Sequence, residues 1–224
     1  MKPFLSKPFW QSVKIIALTS LRETYRNSFL GILWSMIQPT AYILVLSIVF
    51  SVMSRGSAKD IFVYSASGMV AWQFMTGAFT RAAGSLISRR TVFHHSVLPK
   101  SLFIVSDLLV AAYVFVIMLA VMFFLLVALG KAHAIALIYL PIALLPMIIF
   151  CLGGCFLLAY LSPYVGDIPH LTNLFFMVAF WTCPIAYPLE MIPEDKRLYF
   201  AYNPLYLIVE PVQRALHRGE PPIA

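Results

Sequence analysis

The sequence predicts an all-α polytopic membrane protein, and three observations carry that prediction. Of 224 residues, 61% are hydrophobic and only 11% are charged, where a soluble domain carries about 25% charge. The apolar residues gather in long charge-poor runs of the length a bilayer requires. Those runs lack the period-two alternation of a membrane barrel, so they satisfy their own backbone as helices.

Residues 1–29 are polar enough to lie outside the hydrocarbon. A helix is expected from Trp10 to about Ser28, with Trp10, Val13, Ala17 and Leu21 on one face and Ser12, Thr19, Arg22 and Arg26 on the other. Lys14 sits on the apolar face and weakens the pattern. The segment reads as an interfacial helix along the membrane surface, with a short cytoplasmic tail as the alternative. It does not read as a cleavable signal peptide: the first apolar run is too long for an h-region, and no small-residue cleavage site follows it.

Five apolar runs follow, at about Leu30–Ser54, Ile61–Leu86, Ser101–Leu129, Ile135–Leu161 and Ile168–Leu189. Each reaches the roughly 20 residues that cross about 30 Å of hydrocarbon. The spanning part is thus 30–189. The remainder, 190–224, reads as two short helices on the outer face, with Asn203 capping a helix that starts at Pro204 and Pro211 interrupting the stretch 199–216.

Basic residues fix the orientation. The N-terminal segment carries Lys2, Lys7, Lys14, Arg22 and Arg26, and the 87–100 loop carries Arg89, Arg90 and Lys100, with Arg81 just before it. The opposite loops carry only Arg55, Lys59 and Lys131. The N-terminus and the 87–100 loop are therefore expected in the cytoplasm. The net charge of +7 fits that topology and contact with anionic lipid. It does not fit nucleic acid, because no basic stripe sits on a soluble module.

Chemistry is sparse. No zinc-protease, serine-hydrolase or Walker A motif is present. No metal is expected: neighbours such as His94 and His95 point about 100° apart on a helix and lack further ligands. Inside the runs Asp107 is the main ionisable group, expected to pair with a basic neighbour or to face interfacial water. Few buried acids argue against an ion-coupled transporter. Cys151, Cys155 and Cys183 lie in apolar runs, an odd count that does not form a disulfide framework. Cys151 and Cys155 flank Gly153-Gly154, which reads as close helix packing. An energised role needs a separate ATP-hydrolysing subunit.

One stretch is distinctive. Leu21-Arg22-Glu23-Thr24-Tyr25-Arg26-Asn27-Ser28-Phe29-Leu30-Gly31-Ile32-Leu33-Trp34-Ser35, then Pro39, resembles the opening of ABC-2 type permeases that export bacterial polysaccharides such as O-antigen, capsule and teichoic acid. Cys183-Pro184-Ile185-Ala186-Tyr187-Pro188 and Asn203-Pro204-Leu205 resemble the family's later motif, with Cys183 where the family often has Thr or Ser. Asp167-Ile168 is a weaker match, with Gly166 in place of Arg.

The resemblance implies a permease homodimer with two ATP-binding subunits, which bind ATP and Mg, in a bacterial cytoplasmic membrane. It implies six spans, where this sequence shows five runs. It also implies a transport subunit that is not itself an enzyme, carrying a polyprenyl-diphosphate-linked glycan. An ABC-2 permease for another lipid or drug is the alternative, and an intramembrane envelope-synthesis enzyme a more distant one.

Three groups of residues suit the exporter role. Arg22, Tyr25 and Arg26 are expected to guide an anionic lipid head group, or else to contact bulk anionic lipid. Arg89, Arg90, His94 and His95 are expected to couple the spans to the ATPase, or else to be a positive-inside anchor. Aromatics in the runs, among them Trp34, Tyr42, Trp72, Phe74, Phe79, Phe175, Phe176 and Trp181, are expected to stack on sugars along a conduit, or else to face lipid.

Overall fold

The computed structural model describes residues 7–24, 26, 29–54, 57–90 and 98–221. Among them are eight α-helices and no strand: α1 (Lys7–Thr24), α2 (Trp34–Ser54), α3 (Ala58–Ser88), α4 (Lys100–Ala128), α5 (Ala136–Leu161), α6 (Ile168–Thr182), α7 (Glu194–Ala201) and α8 (Pro204–Arg218).

Helix α3 is the centre. It packs against α2, α4, α5, α6 and α8. The reason is in its side chains: Ala66, Ser67, Gly68, Ala71, Ala78, Ala82, Ala83 and Ser85 are all buried or lie at a contact, and small residues let helix backbones approach closely. Its buried Ser67 hydroxyl donates to the Val63 carbonyl one turn earlier at 2.7 Å, so the hydroxyl is satisfied within its own helix.

The surrounding helices turn large apolar side chains outward, for example Val52 on α2, Phe124 on α4, Ile138 and Ile149 on α5, and Phe175 and Met177 on α6. Water would oppose that exposure at about 25 cal/mol per Å². α4 and α5, of 29 and 26 residues, are each long and apolar enough to cross a membrane, and α2 contains the shorter apolar stretch Ile37–Val52.

Four boundaries differ from those expected. α1 starts at Lys7 and ends at Thr24 rather than about Ser28. Val13 and Ala17 of the expected stripe are buried, but Phe9 takes the place expected of Trp10, which is 45% exposed. The docking partner decides this: Phe9 and Val13 pack on Leu102 and Phe103 of α4, and the Ser106 hydroxyl lies 3.2 Å from the Val13 carbonyl.

The fifth run does not stay helical to Leu189. α6 stops at Thr182 after 15 residues, about 22 Å at 1.5 Å per residue. Pro184 forces the residue before it into extended backbone, and Cys183 has φ −102° and ψ 127°. The chain from Cys183 to Ala186 is then a buried strap against α3. Non-helical backbone survives at such depth only if its carbonyls are satisfied by protein. Here Tyr64 Oη donates to the Pro184 carbonyl and Ser65 Oγ to the Ala186 carbonyl, both at 2.8 Å.

The outer helices also break elsewhere than expected. α8 runs through Pro211, and the break between α7 and α8 falls at Tyr202–Asn203. Pro211 removes the bond to the Leu207 carbonyl, but Leu207 is on the exposed side. The buried stripe Leu205, Val209, Val212 and Leu216 holds the helix against α3 and α5. Asn203 caps α8 as expected, its Oδ1 accepting from Leu205 N at 3.0 Å, with Pro204 at the first position.

Candidate functional site

An open groove of about 490 Å³ runs between α2, α3 and α6. On α3 the residues that face it are Met69, Trp72, Gln73, Thr76, Gly77 and Thr80, a three-to-four-residue spacing that forms one helix stripe. α6 contributes Asn173, Phe176, Met177, Phe180 and Trp181, and α2 contributes Tyr42.

The aromatic rings form a connected series. Trp72 lies 5.8 Å from Phe176 and 5.8 Å from Phe180, Tyr42 lies 5.8 Å from Phe180, and Phe180 lies 5.5 Å from Trp181. Trp72, Phe176 and Phe180 are buried, while Trp181 and Tyr42 are 50% and 39% exposed. Such tilted and edge contacts suit the ring quadrupoles.

Between the rings sit neutral hydrogen-bonding groups. Thr80 Oγ1 donates to Asn173 Oδ1 at 3.0 Å, which ties α3 to α6 and leaves the amide NH₂ of Asn173 free to donate. Among the described residues, no Asp, Glu, Lys, Arg or His lines this groove. Flat apolar faces interleaved with neutral hydroxyls and amides can hold a hydroxyl-rich chain without fixing it at one point. Charged partners would bind more tightly and release more slowly.

Of the eight aromatics expected in a conduit, the structure brings Tyr42, Trp72, Phe176 and Trp181 together here, while Phe79 is buried and Phe175 is exposed outside the groove lining. Phe74 does not belong. It is buried on the other face of α3 against Phe115, 5.1 Å away, because two residues along a helix turn about 200°. Trp34 opens α2, 46% exposed and away from the groove. Gln73, Thr76, Thr80 and Asn173 escaped the sequence reading. The i, i+4 repeat from Trp72 through Thr76 to Thr80 was the available signal.

At the opposite side of the bundle from α7 and α8 lie the basic residues. Arg22 is exposed in the last turn of α1, but Arg26 lies past the helix end, in a turn closed by its N–H on the Glu23 carbonyl at 3.3 Å. The two arginines therefore do not share a helix face. Thr24 Oγ1 donates to the Ser20 carbonyl at 2.8 Å in the last turn of α1. Gly31 then takes φ +51° and turns the chain into α2. Tyr25, His94 and His95 lie outside the described residues.

Arg89 is committed within the bundle. Its guanidinium forks onto Asp107, with Nη1 to Oδ2 at 2.6 Å and Nη2 to Oδ1 at 2.8 Å, and Nη1 also reaches Ser85 Oγ at 2.8 Å. Its Cζ lies 5.5 Å from the Phe103 ring centroid. Asp107 thus has the basic partner expected of it, across α3 and α4. Arg90 is exposed.

The remaining motif residues have structural positions. Pro39 is buried in α2. Asp167 precedes α6, exposed and making no side-chain cap. Pro184 offers its carbonyl to Tyr64. Tyr187 Oη donates to the Trp181 carbonyl at 2.7 Å, and Pro188 precedes the turn Leu189–Met191. Asn203 Nδ2 donates to the Thr182 carbonyl at 3.2 Å, joining the end of α6 to the start of α8.

Comparison with known proteins places this architecture. The family model described as ABC-2 type transporter matches residues 11–216. An O-antigen export system permease protein, RfbA, of Klebsiella pneumoniae is 24% identical over 192 residues, covering 85% of this chain and 74% of the relative. RfbA of Myxococcus xanthus is 25% identical over 206 residues, 91% of this chain and 79% of the relative. The polysialic acid transport protein KpsM of Escherichia coli is 19% identical over 211 residues, 93% of this chain and 82% of the relative.

Proposed function

The chain belongs to the ABC-2 type transporter family, and from that premise we infer that it is the permease subunit of an exporter that moves a polysaccharide across a bacterial cytoplasmic membrane. The observation that carries the reading is the groove of Tyr42, Trp72, Phe176, Phe180 and Trp181 interleaved with Gln73, Thr76, Thr80 and Asn173. Stacking faces and neutral donors suit sugar rings that must slide, and the relatives named for O-antigen and polysialic acid support the same cargo class.

In this reading two copies of the chain face each other and close the open side of the groove. Two ATP-binding subunits, carrying ATP and Mg, sit at the end that holds Arg89, Arg90 and Lys100, and that end is cytoplasmic. Arg90 is available to a partner, while Arg89 links the end of α3 to Asp107 on α4 and so carries a push into the bundle. α1 rides on the membrane surface with Arg22 and Arg26 toward anionic head groups. α2 to α6 make five passages, the last of them short and completed by the strap.

The test is a deletion strain examined for surface glycan and for lipid-linked polymer held in the cytoplasm, complemented with wild type, Tyr42→Ala or Trp181→Ala. We expect trapped polymer in the deletion and export reduced about tenfold or more by each substitution, on the scale of a lost stacking contact of 1–3 kcal/mol. Normal surface glycan in the deletion rejects polysaccharide export. Normal export by both variants, at normal protein levels, rejects the groove as its path.

A further inference from the structure

A second cleft, of about 200 Å³, opens between α2, α3 and α4. It shares Gln73 and Gly77 with the aromatic groove but differs in one respect: it holds a cation. Arg81 lines it, with Gln38 of α2 beside the same space. Gln73, Gly77 and Arg81 follow at four-residue spacing on one stripe of α3. A side chain at Gly77 would meet nothing within 4 Å, so the floor is open.

Arg81 has no ion-pair or hydrogen-bond partner among the described residues, and no acid lines the cleft. Asp107 of α4 is already taken by Arg89. The position is seven residues before the end of α3 at Ser88, about 10 Å below the basic end. An unpaired guanidinium at that depth is costly unless it reaches an anion. The deeper walls, Val114, Phe115 and Met118, are apolar. Cationic and amide donors near the basic end, with an apolar channel below them, match an amphiphile carrying a phosphate.

We propose that this cleft binds one anionic lipid of the leaflet at the basic end, its phosphate on Arg81 and Gln38 and an acyl chain along Val114, Phe115 and Met118. The site lies on the α4 side of α2, apart from the rings of the aromatic groove, and its existence does not depend on what the groove carries.

The test uses the full chain in neutral detergent, read by native mass spectrometry and thermal unfolding with phosphatidylglycerol, phosphatidylcholine or inorganic phosphate added. The expected result is one retained phosphatidylglycerol per chain with a raised Tm, about tenfold weaker binding of phosphatidylcholine, and no protection by inorganic phosphate. Arg81→Gln should weaken phosphatidylglycerol binding about tenfold or more, Arg81→Lys less, and Lys14→Gln, an exposed cation of α1, not at all. Equal protection by phosphatidylcholine or by inorganic phosphate overturns the proposal on wild type alone. Unchanged phosphatidylglycerol affinity in Arg81→Gln overturns it as well.

Discussion

At Gly154 the missing side chain is what lets α5 meet Phe79. A Cβ built there would lie 2.1 Å from Phe79 Cε1, whereas one at Gly153 would meet nothing within 4 Å. Gly154→Ala should therefore lower stability by about 1–3 kcal/mol, Gly153→Ala should be close to neutral, and Phe79→Leu should suppress the first effect; thermal unfolding in detergent reads all three. The sequence pairs the two glycines as equals, because helical phase relative to a neighbour is decided only by packing. His217 is a second residue whose surroundings matter. Its ring stands edge-on to Tyr64 at 5.4 Å, and its buried Nδ1 has no partner among the described residues. Burial first, then the neighbouring Arg218 charge, hold its pKa below the ordinary 6.5. The unfolded chain thus takes up a proton near pH 6.5 that the folded chain refuses. His217 costs no stability above that pH, and stability is lost as pH falls from 6.5 toward the lower folded value. His217→Gln should flatten that part of a Tm-against-pH curve; an unchanged acid slope would remove His217 as its source.

Among the elements, the pair of α3 and α4 depends on a charge clamp whose two halves are far apart in sequence. Arg89 is 21% exposed and Asp107 5%, so removing one partner strands the other in a poorly solvated place. Asp107→Asn or Arg89→Gln should each cost about 2–4 kcal/mol, below the limit for a fully buried pair, and the Arg89→Leu, Asp107→Leu double variant should be less damaging than the sum of the single ones. A double variant as unstable as the sum would show that the two residues act separately. The need of Asp107 for a basic partner was readable from one acid in an apolar run. The choice of Arg89 was not, because it depends on how α4 returns beside α3. The same division holds for α6. Its start at Ile168 and the proline after Cys183 were legible, but the sequence could not reveal that residues 183–186 would lie as a strap. That outcome needs Tyr64 and Ser65 as donors and the missing side chain at Gly68, where a Cβ would stand 2.8 Å from Gln213 and 2.9 Å from Ile185.

On the scale of the whole molecule, charge and apolar length made the helical membrane architecture legible, since both are properties of local sequence. The groove was half legible: aromatics could be counted, but only three-dimensional phase separates Trp72 from Phe74. The proposed orientation follows from basic residues at one end, and it can be tested with the chain's own chemistry. Cys151, Cys155 and Cys183 are at most 1% exposed, so the native thiols should stay silent toward a membrane-impermeant maleimide. Arg90 and Lys196 are exposed at opposite ends of the bundle. Introduced cysteines there should therefore report sidedness without other changes. Lys196→Cys should label in spheroplasts, and Arg90→Cys only in inverted vesicles, because a charge-dependent topology keeps the Arg- and Lys-rich loop in the cytoplasm. The reverse pattern would place the ATP-binding subunits at the other end, next to α7 and α8. Labelling of both cysteines in intact spheroplasts would mean that the two ends share one side, which no single crossing of α3 and α4 permits.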